Sequence, residues 1–438
     1  MTSVVPPEVS AASRRRARNS VIYGSAGTVV EWFDYGLYLY LVPVMAPLIF
    51  PSDDALTAMI ASLGVFAAGS FLRVFGGAFF GSIGDRLGRK KALVLSILMM
   101  TVPMGLTAFL PTYAAIGIAA PIIFTVMRML QGFSAGGEYS GTVVQLVEQA
   151  PPSRRGFLAS SAVLTSGIGV LLASGLVALL MTLLSDAQMA DWGWRACYLV
   201  GGGLGLFALV MRRNMDETQA FEAEEEAGDV PKAPLRYALR HLPGPVLISA
   251  FLAGYGGILY YVVLGFGPTI LDTYSDIQSD TAMWVTTGMT IVYAFCTPFF
   301  GRLSDRYGRR PVMLVAAGGF VLLSGPLLWL MTHEPVLIVV VAGALLLGLL
   351  MAYGGPVVAA IGEQFPSRAR YSALATGYNL GNAVLGGLAP LTAAWLISVF
   401  DTPVAPAILL VVASLAALPI LWRLKETRGI TLEQMDAE

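Results

Sequence analysis

GSIGDRLGRKKAL, from Gly81 to Leu93, returns 220 residues later as GRLSDRYGRRPVM, from Gly301 to Met313. A second pair of segments repeats at an offset of 215: Glu148 with Pro151, Arg154 and Arg155, then Glu363 with Pro366, Arg368 and Arg370. Basic loops that only anchor helices would explain the arginines but not the shared Asp-Arg-x-Gly-Arg order. Two loops recurring in the same order within each half indicate a tandem duplication of parallel topology. Each loop offers a turn-forming glycine and an acid able to cap a helix N-terminus or to pair with arginine. The expected structural charge network is Asp85, Arg86, Arg89, Glu148 and Arg155 in the first half, with Asp305, Arg306, Arg309, Glu363 and Arg370 in the second.

Around these loops the chain is too apolar for water. Of its 438 residues, 56% are hydrophobic and only 13% charged, with a mean hydropathy of +0.71. A soluble domain carries roughly a quarter charged residues. A helix needs about 20 apolar residues to cross the hydrocarbon, and segments of that size recur near 21–49, 56–83, 92–110, 114–147, 156–184, 194–212, 243–271, 281–301, 311–331, 335–361, 371–399 and 403–422. The expected fold is therefore an all-α membrane protein with twelve transmembrane helices in two six-helix pseudo-symmetric bundles. Its expected parts are an N-tail (1–20), an N-terminal bundle (21–212), a linker (213–242), a C-terminal bundle (243–422) and a C-tail (423–438).

Charge tests the count. With both termini cytoplasmic, 24 of the 27 Lys and Arg residues fall in cytoplasmic segments, and the exceptions, Arg73, Arg128 and Arg195, fall within or at the edge of spans. The outer loops then hold no basic residue, and one missed span would invert every later loop. Arg14, Arg15, Arg16 and Arg18 precede the first apolar segment, with no small-residue cleavage site, which reads as a cytoplasmic tail and not a removed signal peptide.

The loop pattern G-x-x-x-D-R-x-G-R-[KR] after the second and eighth helices resembles the signature of the major facilitator superfamily. EWFDYGLY (Glu31 to Tyr38), RMLQGFSAGGEYSG (Arg128 to Gly141), WGWR (Trp192 to Arg195) and FPSRARYSALATGYNLG (Phe365 to Gly381) are similar to its metabolite:proton symporter branch. That branch includes carriers for proline and betaine, α-ketoglutarate, citrate and shikimate. The resemblance implies two bundles around a central cavity, and a functional monomer in the bacterial inner membrane. It further implies proton-coupled uptake of a small organic acid or zwitterion by alternating access. Tyr260, Tyr261 and Asn379 match strings that line the cavity in that family.

Ionisable groups inside a span cost at least ~2.5–3.5 kcal/mol each, so they should face the bundle interior and find partners. Glu31 and Asp34 stand three residues apart on one face of the first helix, roughly 15–20 Å deep. Arg73 and Glu138 project to a similar depth, with Arg128 about 15 Å further outward. Three acids against one or two arginines leave a carboxylate without a full partner, and such a group suits proton coupling. Glu138 is the first choice, then Asp34 and Glu31, while Arg73 is the expected structural partner of Glu31 or Asp34. Arg128 offers a guanidinium fork for a substrate carboxylate and is named with Gln131 as the N-half substrate site. Pairing only with acids is the alternative for Arg128.

Other functions fit less well. No lysine is followed by Ser or Thr, so there is no Walker A sequence. No nucleophile elbow, His-rich motif or Cys pair suggests an enzyme, a metal site or a cofactor. A net charge of −1 gives no footprint for nucleic acid. The expected partners are a small-molecule substrate, a proton and the lipid bilayer. Proton-driven export of a metabolite or drug is the competing function, although the fifth helix, TSGIGVLLASG (Thr165 to Gly175), lacks the Gly-Pro motif of drug antiporters.

Overall fold

The computed structural model describes residues 11–87, 89–213, 234–275, 277–334, 336–352, 354–365, 370–431 and 434. Residues 214–233 of the expected linker lie outside this set, as do the side chains of Asp85, Arg86, Arg89 and Glu148. The fold is twelve membrane-spanning helices in two pseudo-symmetric halves. They are α1 (Ala11–Ile49), α2 (Ala55–Leu87), α3 (Arg89–Thr107), α4 (119–149), α5 (Arg155–Leu183), α6 (Trp194–Arg213), α7 (Pro243–Tyr274), α8 (Ser279–Tyr307), α9 (Arg309–His333), α10 (337–362), α11 (Arg370–Phe400) and α12 (Pro406–Arg423).

Among the described residues, eleven helices are long and apolar enough to span. The twelfth, α4, is interrupted by a 3-10 turn at Ala135–Gly137 between Ala119–Ser134 and Glu138–Gln149. The break lies where α4 touches α2. A Cβ on Gly136 would strike the backbone of Gly76 and Gly77, so only glycine permits this approach. Short helices at Tyr113–Ile116 and Pro234–His241 lie outside the spans, while Asp186–Gln188 and a π turn at Met189–Gly193 lead into α6. At the start of α2 the Asp54 carboxylate accepts from the Thr57 hydroxyl (2.6 Å) and amide (2.9 Å). These bonds hold Asp54 below its ordinary acidity range, the behaviour of a helix cap.

The duplication read from the loops appears in the packing. In the first half α1 packs on α5, α2 on α4 and α3 on α6; in the second α7 packs on α11, α8 on α10 and α9 on α12. The halves meet through α5 against α8 and α2 against α11, two contacts related by the same symmetry. Large apolar side chains face outward, among them Leu322 (73% exposed) and Ile338 (74% exposed), as expected where the surrounding solvent is lipid.

The symmetry fails at one level. α7 carries a π turn at Tyr261–Gly265 and α11 carries another at Asn382–Gly386, whereas α1 and α5 are regular α-helix throughout their described lengths. The Tyr261 hydroxyl, first in one π turn, donates to Asn382 Oδ1, first in the other, at 3.3 Å.

Candidate functional site

Gly27, Glu31 and Asp34 lie along one stripe of α1, at i, i+4 and i+7. Each marks a buried ion pair. Beside Gly27, Glu138 of α4 pairs with Arg212 of α6, which also donates to the Leu93 carbonyl at 2.9 Å. A Cβ on Gly27 would overlap both partners, so the glycine makes room for the pair. Ser96 donates to the same carboxylate at 3.1 Å. One turn on, Glu31 pairs with Arg73 of α2 at 2.7 Å. Next, both oxygens of Asp34 accept from Arg128 Nη1 at 3.0 Å, and Oδ1 accepts a third bond from Gln131 Nε2 at 2.8 Å. The Arg128 guanidinium also lies 4.4 Å from the centroid of Tyr38.

This ladder corrects two expectations. Arg212, which the sequence assigns to the loop after α6, is fully buried and neutralises Glu138. Three acids therefore face three arginines, and the charge deficit that favoured Glu138 as proton carrier disappears. The acids also do not share one layer, because Arg128 reaches Asp34 while Arg73 holds Glu31.

A cavity of about 100 Å³ lies between the halves, walled by Trp32 and Tyr139 from the first half and Tyr260, Tyr293, Tyr378 and Asn382 from the second. Trp32 meets Tyr260 edge to face at 4.9 Å and Tyr139 at 5.8 Å, while Tyr139 stacks on Tyr378 at 4.8 Å. The Trp32 indole N–H and the Tyr260 hydroxyl are buried and have no hydrogen-bond partner among the described residues. Both can serve a polar group placed between them. Electron-rich ring faces on several sides suit a cation, each such contact contributing ~0.5–2 kcal/mol. Charges stand beside it: Glu31 and Glu138 each precede a cavity residue, Trp32 and Tyr139, and the Arg73 guanidinium lies 5.7 Å from the Tyr378 ring.

On the face where the duplicated loops lie, here the basic face, the halves are clasped together. Both oxygens of Asp305 accept backbone N–H groups at the start of α5, from Gly156 (2.8 Å) and Phe157 (2.9 Å), and Arg309 pairs with Asp305 at 2.7 Å. Glu363 joins Arg309 (3.1 Å) to Arg155 (3.4 Å) across the junction. Thr427, after α12, also donates to Glu363, and Ile430 accepts from Arg155 at 3.0 Å. Arg370 is buried and donates to the Phe365 carbonyl at 3.1 Å, whereas Arg306 points outward over Tyr307.

Of the predicted substrate residues, only Tyr260 lines the cavity. Arg128 and Gln131 bond Asp34, the pairing with an acid that was the alternative to a substrate anchor. Tyr261 bonds Asn382, and Asn379 bonds Arg73 Nε at 2.8 Å and the Gly136 carbonyl at 2.6 Å. Sequence reading missed Trp32 and Tyr139 altogether. Each follows a buried acid directly, and that adjacency is the signal that was available.

A family profile described as Major Facilitator Superfamily matches residues 25–275 and again 246–434. The chain is 31% identical over 428 residues to the proline/betaine transporter of Escherichia coli (strain K12), covering 95% of this chain and 85% of that protein. It is 31% identical over 435 residues to the glycine betaine/proline/ectoine/pipecolic acid transporter OusA of Dickeya dadantii (strain 3937), with the same coverage. Its fold is similar to that of the proton:xylose symporter XylE bound to 6-bromo-6-deoxy-D-glucose, with a TM-score of 0.77 at 18% identity over 97% of this chain and 99% of the other.

Proposed function

The chain belongs to the major facilitator superfamily and is a multi-pass membrane transporter, and from that premise we propose that it takes up a small zwitterionic metabolite together with a proton. The observation that carries this reading is the aromatic cavity between the halves, set one residue from a buried Glu31–Arg73 pair. A cationic head would lie against the rings of Trp32, Tyr260, Tyr293 and Tyr378. Its carboxylate would accept from the indole N–H of Trp32 and the hydroxyl of Tyr260. Relatives named for proline and betaine carry substrates of this chemistry, which favours a zwitterion over a tricarboxylate.

For the proton, we assign Glu31 ahead of Asp34 and Glu138. Asp34 accepts three hydrogen bonds and Glu138 is held by Arg212 and Ser96, whereas neither oxygen of Glu31 accepts an aligned hydrogen bond among the described residues. Its ion-pair partner Arg73 also touches the opposite half. Proton transfer to Glu31 therefore alters a contact between the halves, which is what coupling requires. The orientation that accompanies this reading has both termini cytoplasmic, the basic face inside and a monomer in the bacterial inner membrane.

Purified protein in proteoliposomes, offered a labelled metabolite panel with and without an inward proton gradient, tests the function. Accumulation of a zwitterion only with the gradient is expected. Accumulation driven by an outward gradient would support export by antiport instead. Linkage supplies a second check: if a proton favours substrate, affinity must fall as pH rises, and Glu31→Gln must lose that dependence.

A further inference from the structure

Arg73 is shared between two partners with opposite allegiances. Its Nη2 pairs with Glu31 of the same half, and its Nε donates across the junction to Asn379 of α11. Asn379 is 1% exposed, and its amide nitrogen donates to the Gly136 carbonyl at the break in α4. This single side chain thus ties α2 and α4 to α11 across the junction between the halves, flanked along α11 by the cavity residues Tyr378 and Asn382. The next residue back, Tyr378, lines the cavity and presents its ring to the same guanidinium.

We propose that Asn379 is a positioning residue that stops a carrier holding a proton but no substrate from opening its basic face. With Glu31 ionised, Arg73 divides its charge between the carboxylate and the Asn379 oxygen. When a proton neutralises Glu31, the guanidinium loses its counter-ion and finds there only a neutral carbonyl oxygen, so its hold shifts toward Asn379 and the clasp tightens. The charged and titratable groups around the pair are Asp34 on α1, Arg212 from α6, Tyr35 on α1, Tyr261 from α7 and Tyr378 from α11. Glu138 is held by Arg212 and Asp34 by Arg128, so neither acid supplies a substitute counter-ion. A cationic substrate head against Tyr378 competes with Arg73 for that ring and repels the guanidinium. Substrate therefore releases the clasp, and the loaded carrier opens.

This inference rests on the proton-symport reading, and the experiment separates the two. Proteoliposomes with an internal pH dye receive an inward proton gradient in the absence of substrate. Asn379→Ala should admit protons at least tenfold faster than the wild type, and Asn379→Gln, which keeps an amide, should leak less than alanine. Glu31→Gln should exchange substrate but show less than a tenth of wild-type net downhill efflux, because its empty form stays clasped. The double variant Glu31→Gln with Asn379→Ala should recover efflux to within threefold of the wild type. A proton leak within twofold of wild type in folded Asn379→Ala, or no recovery in the double variant, overturns the clasp while leaving symport standing. Asn379→Asp adds a second carboxylate to Arg73 and should slow efflux without leak; a leak there also overturns it. A wild type that moves no protons with any transported substrate overturns both readings.

Discussion

Asp305→Asn should swing the conformational balance toward an open basic face. The carboxylate receives two backbone N–H groups in the first turn of α5 and pairs with Arg309. An asparagine has one side-chain oxygen, so one of those N–H groups loses its acceptor and meets an NH2 group. Losing a charged hydrogen bond costs ~1.5–3 kcal/mol, and losing negative charge at a helix N-terminus costs a further ~0.3–1 kcal/mol. All of it is lost from the closed state alone, because opening separates α5 from α8 and returns these groups to water. A net change of about 2–3 kcal/mol corresponds to a shift of roughly 30- to 150-fold in the open-to-closed ratio. Ser160 reports on it, being fully buried in the same interface with its hydroxyl 3.2 Å from the Gly355 carbonyl. In a chain with Cys197 and Cys296 replaced by alanine, the N-ethylmaleimide labelling rate of Ser160→Cys should rise by that factor when Asp305→Asn is added, up to full opening. Substrate affinity should stay within a few fold. A labelling change below threefold in a monodisperse variant would refute the assignment of Asp305 as a clasp.

The buried ladder predicts that Arg212→Met, which strands Glu138, lowers stability by about 3–5 kcal/mol, seen as a fall in the unfolding temperature in detergent. Adding Glu138→Leu should recover most of that loss, and no recovery would show that Arg212 acts by packing. Trp32→Ala should weaken binding of a cationic zwitterion at least tenfold in equilibrium dialysis, from a cation–π loss of ~0.5–2 kcal/mol plus the missing indole donor. Trp32→Phe, which keeps the ring face, should lose less; equal losses would point to the donor alone. Single cysteines at Ser52 or Gln188 should react with an impermeant thiol reagent outside intact cells and one at Ser153 should not, and labelling at Ser153 would invert the proposed topology.

The architecture was legible because lipid imposes a length and a hydropathy on every span, and because the duplicated Asp-Arg-x-Gly-Arg loops survive as strings. The break in α4 was not, since Gly132, Gly136 and Gly137 read equally well as an unbroken packing stripe. Arg212 was misplaced for a geometric reason. It ends a span, and its neighbour Arg213 is exposed, so position along the chain gives no sign that 100° of helix rotation turns one inward and the other out. The face was nevertheless written in α6, where Gly201, Gly205, Ala208 and Leu209 are buried with Arg212 at helical spacing. Asn379 was found by its string, but its bonds could not be, because its partners, Arg73 and the Gly136 carbonyl, lie about 240 residues or more away in the other half.

The π turns of α7 and α11 give these helices a tolerance to shortening that their symmetry mates α1 and α5 lack. A π turn holds one residue more than the α turn it replaces, so each helix beyond it is rotated by about 100° relative to an uninterrupted course. Deleting one residue within Tyr261–Gly265 would restore ordinary helix and turn Thr269 and Ile270 away from their buried positions. The same deletion in α1 would break the i, i+4, i+7 stripe of Gly27, Glu31 and Asp34, parting arginines from their acids. A deletion in α7 or α11 thus keeps a regular helix and gives up a few buried contacts, whereas in α1 it parts buried ion pairs, so deletions accepted by a library of this gene should be found in α7 and α11 before α1.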